Sequence, residues 1–178
     1  SPEELPRVIA EAFSIAVSDR PGPVLVDIPR DVQVAPVEVD GLPEPGVATP
    51  MPTPDSAALA RAAELLNAAE RPLLLLGGGT SSPEAAAAVL EFMEQQRIPA
   101  VMSLRGLGVV PHGHELAVGM LGMHGARASN MLVEECDVLV VVGARLGDRA
   151  TGRLDSFCPK SGLIHIDIDA SEVGKLLM

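Results

Sequence analysis

The sequence has no tryptophan and no tyrosine, and only three phenylalanines among 178 residues. Aromatic stacking therefore cannot build its core, which must come from the Leu, Val, Ile, Ala and Met that make up most of its 47% hydrophobic residues. That composition suits helices layered on a buried parallel sheet. Cysteine is scarce as well. Cys136 and Cys158 are too few for a disulfide framework and lack zinc-ligand spacing. Cys136 adjoins a predicted strand and reads as a small core residue, and reducing, cytoplasmic conditions are the default expectation. Positive charge is outnumbered, with 13 Lys and Arg against 24 Asp and Glu and a formal charge of −11. This balance argues against a nucleic-acid or anionic-membrane surface. No apolar run approaches the roughly 20 residues that cross a bilayer, and no signal peptide is recognisable.

What is present centres on residues 119–153, GMLGMHGARASNMLVEECDVLVVVGARLGDRATGR. The turn Gly122-Met123-His124-Gly125 opens a predicted helix over about residues 126–135. Val138 to Val142 reads as a strand buried on both faces and ending at Gly143. Arg145, Arg149 and Arg153 follow at intervals of four, and they share one face if that segment coils. Amides at a helix start and guanidinium groups at a strand end are what a diphosphate requires. A second explanation stays open: the glycines only turn the chain, and Arg149 pairs with Asp148 or Asp155 at the surface.

Elsewhere the order of elements can be read directly. Ser1-Pro2-Glu3-Glu4 has the shape of a helix start. Leu5, Val8, Ile9, Ala12, Phe13 and Ala16 then recur at helical spacing, which predicts one buried face. Val24 to Ile28 reads as a short strand stopped by Pro29. From Val34 to Pro54, six prolines and two glycines predict a semi-rigid linker. Residues 1–33 then read as the tail of one domain and residues 55–178 as most of another. That second stretch alternates helix and strand: a helix around Leu59 to Leu66, strands at Pro72–Leu76 and Pro99–Met102, a helix from Ser82, a strand at Leu163–Asp167, and a last helix over Ser171–Lys175. The expected fold is α/β, a Rossmann-like parallel sheet with helices on both faces.

Features of one sheet edge should carry the chemistry. They are Gly77-Gly78-Gly79, whose bare backbone could approach a ligand, the Met123-His124 turn, the arginines after Gly143, and Asp167 at a strand end. Asp167 could accept from ribose hydroxyls, cap the next helix or pair with Lys175. His124 reads first as a turn histidine. His112 and His114 sit in a predicted exposed loop with no visible partners, and the carboxylates Asp148, Asp155, Asp167 and Asp169 form no acid–base spacing.

Taken in order, GMLGMHG, ECDVLVVVGARLGDRATGRL and HIDIDASEVGK resemble the large catalytic subunits of the acetohydroxyacid synthase (acetolactate synthase) family, as does the upstream RPGPVLVDIPRDVQ. The resemblance implies a thiamine diphosphate enzyme that joins pyruvate to a second 2-keto acid, with magnesium, an FAD-binding central domain, a homo-oligomeric state and a possible regulatory small subunit. Carried over by position, FAD contacts fall on Arg20, Gly77, Gly78, Gly79, Ser103, Leu104, Arg105, Leu121, Met123, His124, Gly143, Arg145, Arg149, Asp167 and Ile168. Arg30, Met123, Asp148 and Arg149 would face the substrate channel. The chain resembles the end of the pyrimidine-binding domain followed by most of the central domain, so this piece alone is expected to be inactive. Glyoxylate carboligase, pyruvate oxidase or a stand-alone nucleotide-binding module are the competing readings. Two positions depart from the family pattern. Gly147 stands where the family has an acidic residue, and Arg30 where it has lysine.

Overall fold

A computed structural model describes residues 1–38 and 41–177. The chain divides into two compact units, Ser1–Thr53 and Pro54–Met178.

In the first unit, helix α1 spans Leu5–Val17 and the short helix α2 spans Arg30–Val34. α1 starts later than the serine cap predicts. The Ser1 amine and hydroxyl both bond Glu4 Oε2, at 3.0 and 3.2 Å, and Glu4 itself caps without a side-chain bond. The buried face expected of α1 is absent: none of its residues is buried, and Phe13 is 64% exposed. The following proline segment runs back along the helix. Ser14 Oγ donates to Val47 O at 2.6 Å, and Thr49 N donates to Ser18 Oγ at 2.9 Å. A Cβ on Gly46 would lie 2.2 Å from Ala10 O, so only glycine permits that approach. The strand expected at Val24 to Ile28 does not form. A strand needs a ladder neighbour, none of the described residues supplies one, and Leu25 is left 92% exposed.

The second unit is the α/β layer structure. Helix α3 (Ser56–Asn67) is capped by Asp55, whose carboxylate accepts from the amides of Ala57 and Ala58. Strand β1 (Pro72–Leu76) follows, then α4 (Pro83–Gln96), β2 (Ala100–Met102), β3 (Ala117–Met120), α5 (Arg127–Glu135), β4 (Val138–Val142), the one-turn helix α6 (Asp148–Thr151) and β5 (Gly162–Ile166). Ser82 caps α4 through Ala85 N, with Pro83 in the first turn, as its sequence indicates. All five strands are parallel, in the order β3-β2-β1-β4-β5.

Period-two alternation sorts the strand residues to two faces. Leu73, Leu75, Val101, Leu139 and Val141 meet Val133 of α5, Cys136, Phe157 and Cys158 on one side. Leu74, Leu76, Ala100, Met102, Val138 and Val140 meet Met93 of α4, with Leu66 of α3, on the other. The four leucines of β1 are at most 1% exposed, and each such side chain contributes about 1.5–3 kcal/mol on burial. β3 carries no sequence signal because its centre is Gly119 at φ +120°. The helix expected over Ser171–Lys175 is a series of turns, broken at Gly174 with φ +70°.

In a sheet ordered 3-2-1-4-5, the chain leaves β1 and β4 toward opposite sides. The crevice beyond their carboxyl ends is thus the switch point where such folds hold ligands.

Candidate functional site at the carboxyl edge of the sheet

Two glycine turns flank that switch point and pack backbone to backbone. Gly77 N donates to Val142 O at 2.9 Å, and Gly79 N to Gly143 O at 3.0 Å. A Cβ on Gly77 would sit 2.1 Å from Gly143 O, and one on Gly143, at φ +58°, would sit 2.6 Å from Gly79 Cα. This revises the reason for the triplet. Gly77 and Gly79 are bare so that the β1 and β4 turns can touch, rather than to open space for a ligand. A Cβ on Gly78 would sit 2.9 Å from Arg105 Cβ.

The other loops join the same rim. After β2, Ser103 N donates to Leu76 O at 2.9 Å, and the close approach of Gly106 to Leu76 O turns Leu104 and Arg105 outward. After β3, Leu121 is buried while Met123 is 67% exposed, with His124 exposed beside it. Asn130 of α5 clamps this turn from both sides. Gly122 N donates to its Oδ1 at 2.8 Å, and its Nδ2 donates to Gly122 O at 3.1 Å. Met123 N then reaches Arg149 O at 3.0 Å, joining the β3 loop to the β4 loop. After β5, Ile168 is partly exposed, and Asp167 Oδ1 accepts from Asp169 N at 2.9 Å. Asp167 therefore makes a local turn, while Lys175 pairs with Glu172 instead.

The three arginines do not share a helix face. Arg145 lies between buried Ala144 and buried Leu146, whose φ is +55°, and Arg153 lies beyond Gly152 at φ +61°. Only Arg149 is inside α6, because these left-handed residues interrupt any longer coil. Arg153 forks onto Asp155 at 2.6 and 3.2 Å, which holds the Asp155 carboxyl below its ordinary range. Arg149 and Asp148 lie 3.9 Å apart and both are exposed, so their attraction is worth little. Arg105 and Arg145 have no hydrogen-bond or ion-pair partner among the described residues.

Thus the predicted residues from Gly77 to Ile168 stand on one edge, while Arg20 and Arg30 belong to the first unit. Gly147 has φ −63° and open space where its Cβ would be, so nothing in the backbone demands glycine there. Asn130 and Gly106 were not singled out from the sequence; an amide side chain eight residues after a turn glycine is the only cue for Asn130. His114 is not the unpartnered loop residue expected. It bonds Glu94 Oε1 through Nε2 at 3.0 Å and accepts from Leu116 N at Nδ1. Cys136 and Cys158 are buried, and burial pushes both thiols up, Cys158 to about 11. Neither is a nucleophile. Among the described residues, no group of three or more His, Cys, Asp or Glu is placed to hold a metal, and no helix is long and apolar enough to cross a membrane.

Residues 59–177 match the family model described as thiamine pyrophosphate enzyme, central domain. The chain belongs to the thiamine pyrophosphate enzyme family. Its central domain is accordingly the five-stranded unit whose rim is described above. Relatives extend across both units. The chain is 47% identical over 174 residues to the acetolactate synthase isozyme 1 large subunit of Escherichia coli, covering 98% of this chain and 31% of that relative. It is 42% identical over 179 residues to the probable acetolactate synthase large subunit of Methanocaldococcus jannaschii, covering 98% and 30%. It is 40% identical over 177 residues to the chloroplastic acetolactate synthase 2 of Nicotiana tabacum, covering 97% and 26%. The chain thus spans less than a third of the length of these curated relatives, which are named acetolactate synthases.

Proposed function

We propose that the carboxyl rim of the central domain binds the adenine-nucleotide diphosphate of FAD, within a polypeptide that condenses pyruvate with a second 2-keto acid. One observation carries the reading. Loops from five strands meet on one edge at the topological switch point, with two guanidinium groups there that no described residue neutralises, in a chain of net charge −11. The donor set fits the group. Arg105 and Arg145 would take the phosphates as charge-assisted partners, and α5 starts on Ala126 with no side-chain cap, leaving amides for an anion. Gly78, Ser103, Leu104, Met123 and His124 would line the same edge, with Asp167 and Ile168 toward the ribose end.

The flavin supplies an isoalloxazine ring that needs no net redox change in such a condensation. The chain's own work would be to hold it, with arginine charge for the diphosphate and the apolar Met123 and Leu104 for the ring system. Met123, Asp148 and Arg149 would border the channel for the second keto acid, with Arg149 toward its carboxylate. Thiamine diphosphate and a magnesium ion would be held by parts of the polypeptide beyond these residues, in a homo-oligomer with a regulatory small subunit. We place the protein in the cytoplasm, in keeping with two free thiols in its core. The domain division we propose is a pyrimidine-domain tail at 1–33, a linker at 34–54 and the central domain from 55.

Flavin fluorescence tests this. The chain has no tryptophan or tyrosine to quench a bound flavin, so the anisotropy of flavin emission on titration of FAD with the 178-residue chain is the readout. A saturable rise in anisotropy that excess ADP reverses is expected. No rise, or a rise that ADP does not compete, refutes the reading. The isolated chain mixed with pyruvate, thiamine diphosphate and magnesium is expected to form no acetolactate.

A further inference from the structure

His165 of β5 pairs in register with Val141 of β4, and so lies on the sheet side whose buried cluster holds Leu139, Val141, Val133 and Phe157. Its Nε2 lies 3.0 Å from Ala144 O. A carbonyl oxygen can only accept, so Nε2 carries a proton, and in the neutral imidazole Nδ1 is then a bare lone pair. That Nδ1 is buried and has no partner among the described residues. An aliphatic residue would fill this position without burying an unpaired nitrogen, which costs stability. What the imidazole provides here that an aliphatic side chain would not is the Nε2 bond.

What it touches is the loop that presents Arg145. β5 holds this loop at two successive residues. Gly143 N donates to Ile166 O at 2.8 Å, and Ala144 O accepts from His165. The next residue is Arg145, exposed between buried Ala144 and buried Leu146. With Gly143 at φ +58° and Leu146 at φ +55°, the backbone turns through a left-handed residue on each side of that arginine. Fixing the Ala144 carbonyl fixes the peptide plane between Ala144 and Arg145, and hence the direction in which the guanidinium leaves the rim.

We propose that His165, through its Nε2–H bond to the Ala144 carbonyl, is a positioning residue that aims Arg145 at a bound nucleotide diphosphate. This rests on the nucleotide reading of the rim. His165→Leu removes the bond and the orphan nitrogen together, whereas His165→Gln keeps an amide donor near the Nε2 position. Calorimetric titration of the 178-residue chain with ADP and with adenosine separates the roles. His165→Leu is expected to weaken ADP by about tenfold, the middle of the range that coupled contacting groups span, and to leave adenosine unchanged. His165→Gln should recover most of the loss. In an Arg145→Ala background, His165→Leu should cost nothing further. Equal losses for ADP and adenosine, an additive loss in the Arg145→Ala background, or no loss would each overturn the proposal. If wild type binds ADP and His165→Leu matches it, only this proposal falls. If wild type binds no ADP, the nucleotide reading falls and takes the proposal with it. Should His165→Leu fail to fold, nitrogen NMR of the wild-type imidazole still decides: the Nε2–H tautomer with a slowly exchanging proton supports the assignment, and an Nδ1–H tautomer overturns it.

Discussion

Replacing Gly143 by alanine should strike the rim at the point where its two central turns are fused. The residue sits at φ +58°, and an added Cβ would meet Gly79 Cα at 2.6 Å, Gly79 C at 2.9 Å and Gly79 N at 3.0 Å. All three are backbone atoms, so no flexible side chain can swing aside. The left-handed conformation costs a non-glycine residue about 1–2 kcal/mol. Overpacking of this kind adds roughly 1–3 kcal/mol, and a Gly79 N to Gly143 O bond of 3.0 Å is put at risk. The expected loss is therefore roughly 2–5 kcal/mol. Urea unfolding followed by far-ultraviolet circular dichroism suits a chain without tryptophan, with the transition of the α/β unit as the readout. The same loop provides the control. Gly147 has φ −63°, open space and the N-cap position of α6, so Gly147→Asp should be neutral or stabilise by a few tenths of a kcal/mol. Gly143→Ala unfolding within about 0.5 kcal/mol of wild type, the span of an ordinary surface change, would refute the claim that these glycines serve backbone contact. So would a Gly147→Asp loss as large as that of Gly143→Ala.

Arg145→Ala should weaken ADP about 10- to 100-fold, the worth of a charge-assisted bond to phosphate, while the unfolding midpoint stays put because the side chain is exposed; calorimetry with parallel melts checks both. Asn130→Ala removes both bonds to Gly122, so the α/β unit should lose about 1–3 kcal/mol in the same urea assay. Burial raises the Cys158 thiol from its ordinary 9.0 to about 11, so the unfolded chain loses that proton first as pH climbs. Stability should be full below pH 9 and fall between pH 9 and about 11, by at most about 1.4 kcal/mol per pH unit. A flat profile over that interval counts against its burial. At pH 8, a thiol reagent should label neither cysteine until urea is added.

The layer structure was readable because its signals are local. Pro72 to Leu76 and Val138 to Val142 are unbroken apolar runs of strand length, and Ser82-Pro83-Glu84 states a helix start in three residues. What failed depended on partners that periodicity cannot see. Val24 to Ile28 has strand composition but no neighbour among the described residues, and α1 has an amphipathic pattern without a buried face. The spacing of Arg145, Arg149 and Arg153 suggested a helix that Leu146 and Gly152 prevent, since left-handed backbone leaves no mark in a four-residue count. β3 was invisible because Gly119 interrupts the only apolar stretch it has. At the rim, the glycines mark a special backbone but not its reason: the Cβ positions of Gly77, Gly79 and Gly143 are occupied by other backbone, a fact of tertiary approach alone. The partner of His114 leaves no local signal, because Glu94 is twenty residues away.

The central claim is that loops distant in sequence form one diphosphate-binding edge. Amide NMR of the 178-residue chain titrated with ADP tests it most directly. Shifts concentrated at Gly78, Arg105, His124, Arg145 and the first turn of α5 are the predicted result. No saturable shifts, or shifts confined to the apolar groove between α1 and residues 42–46 of the first unit, would contradict it.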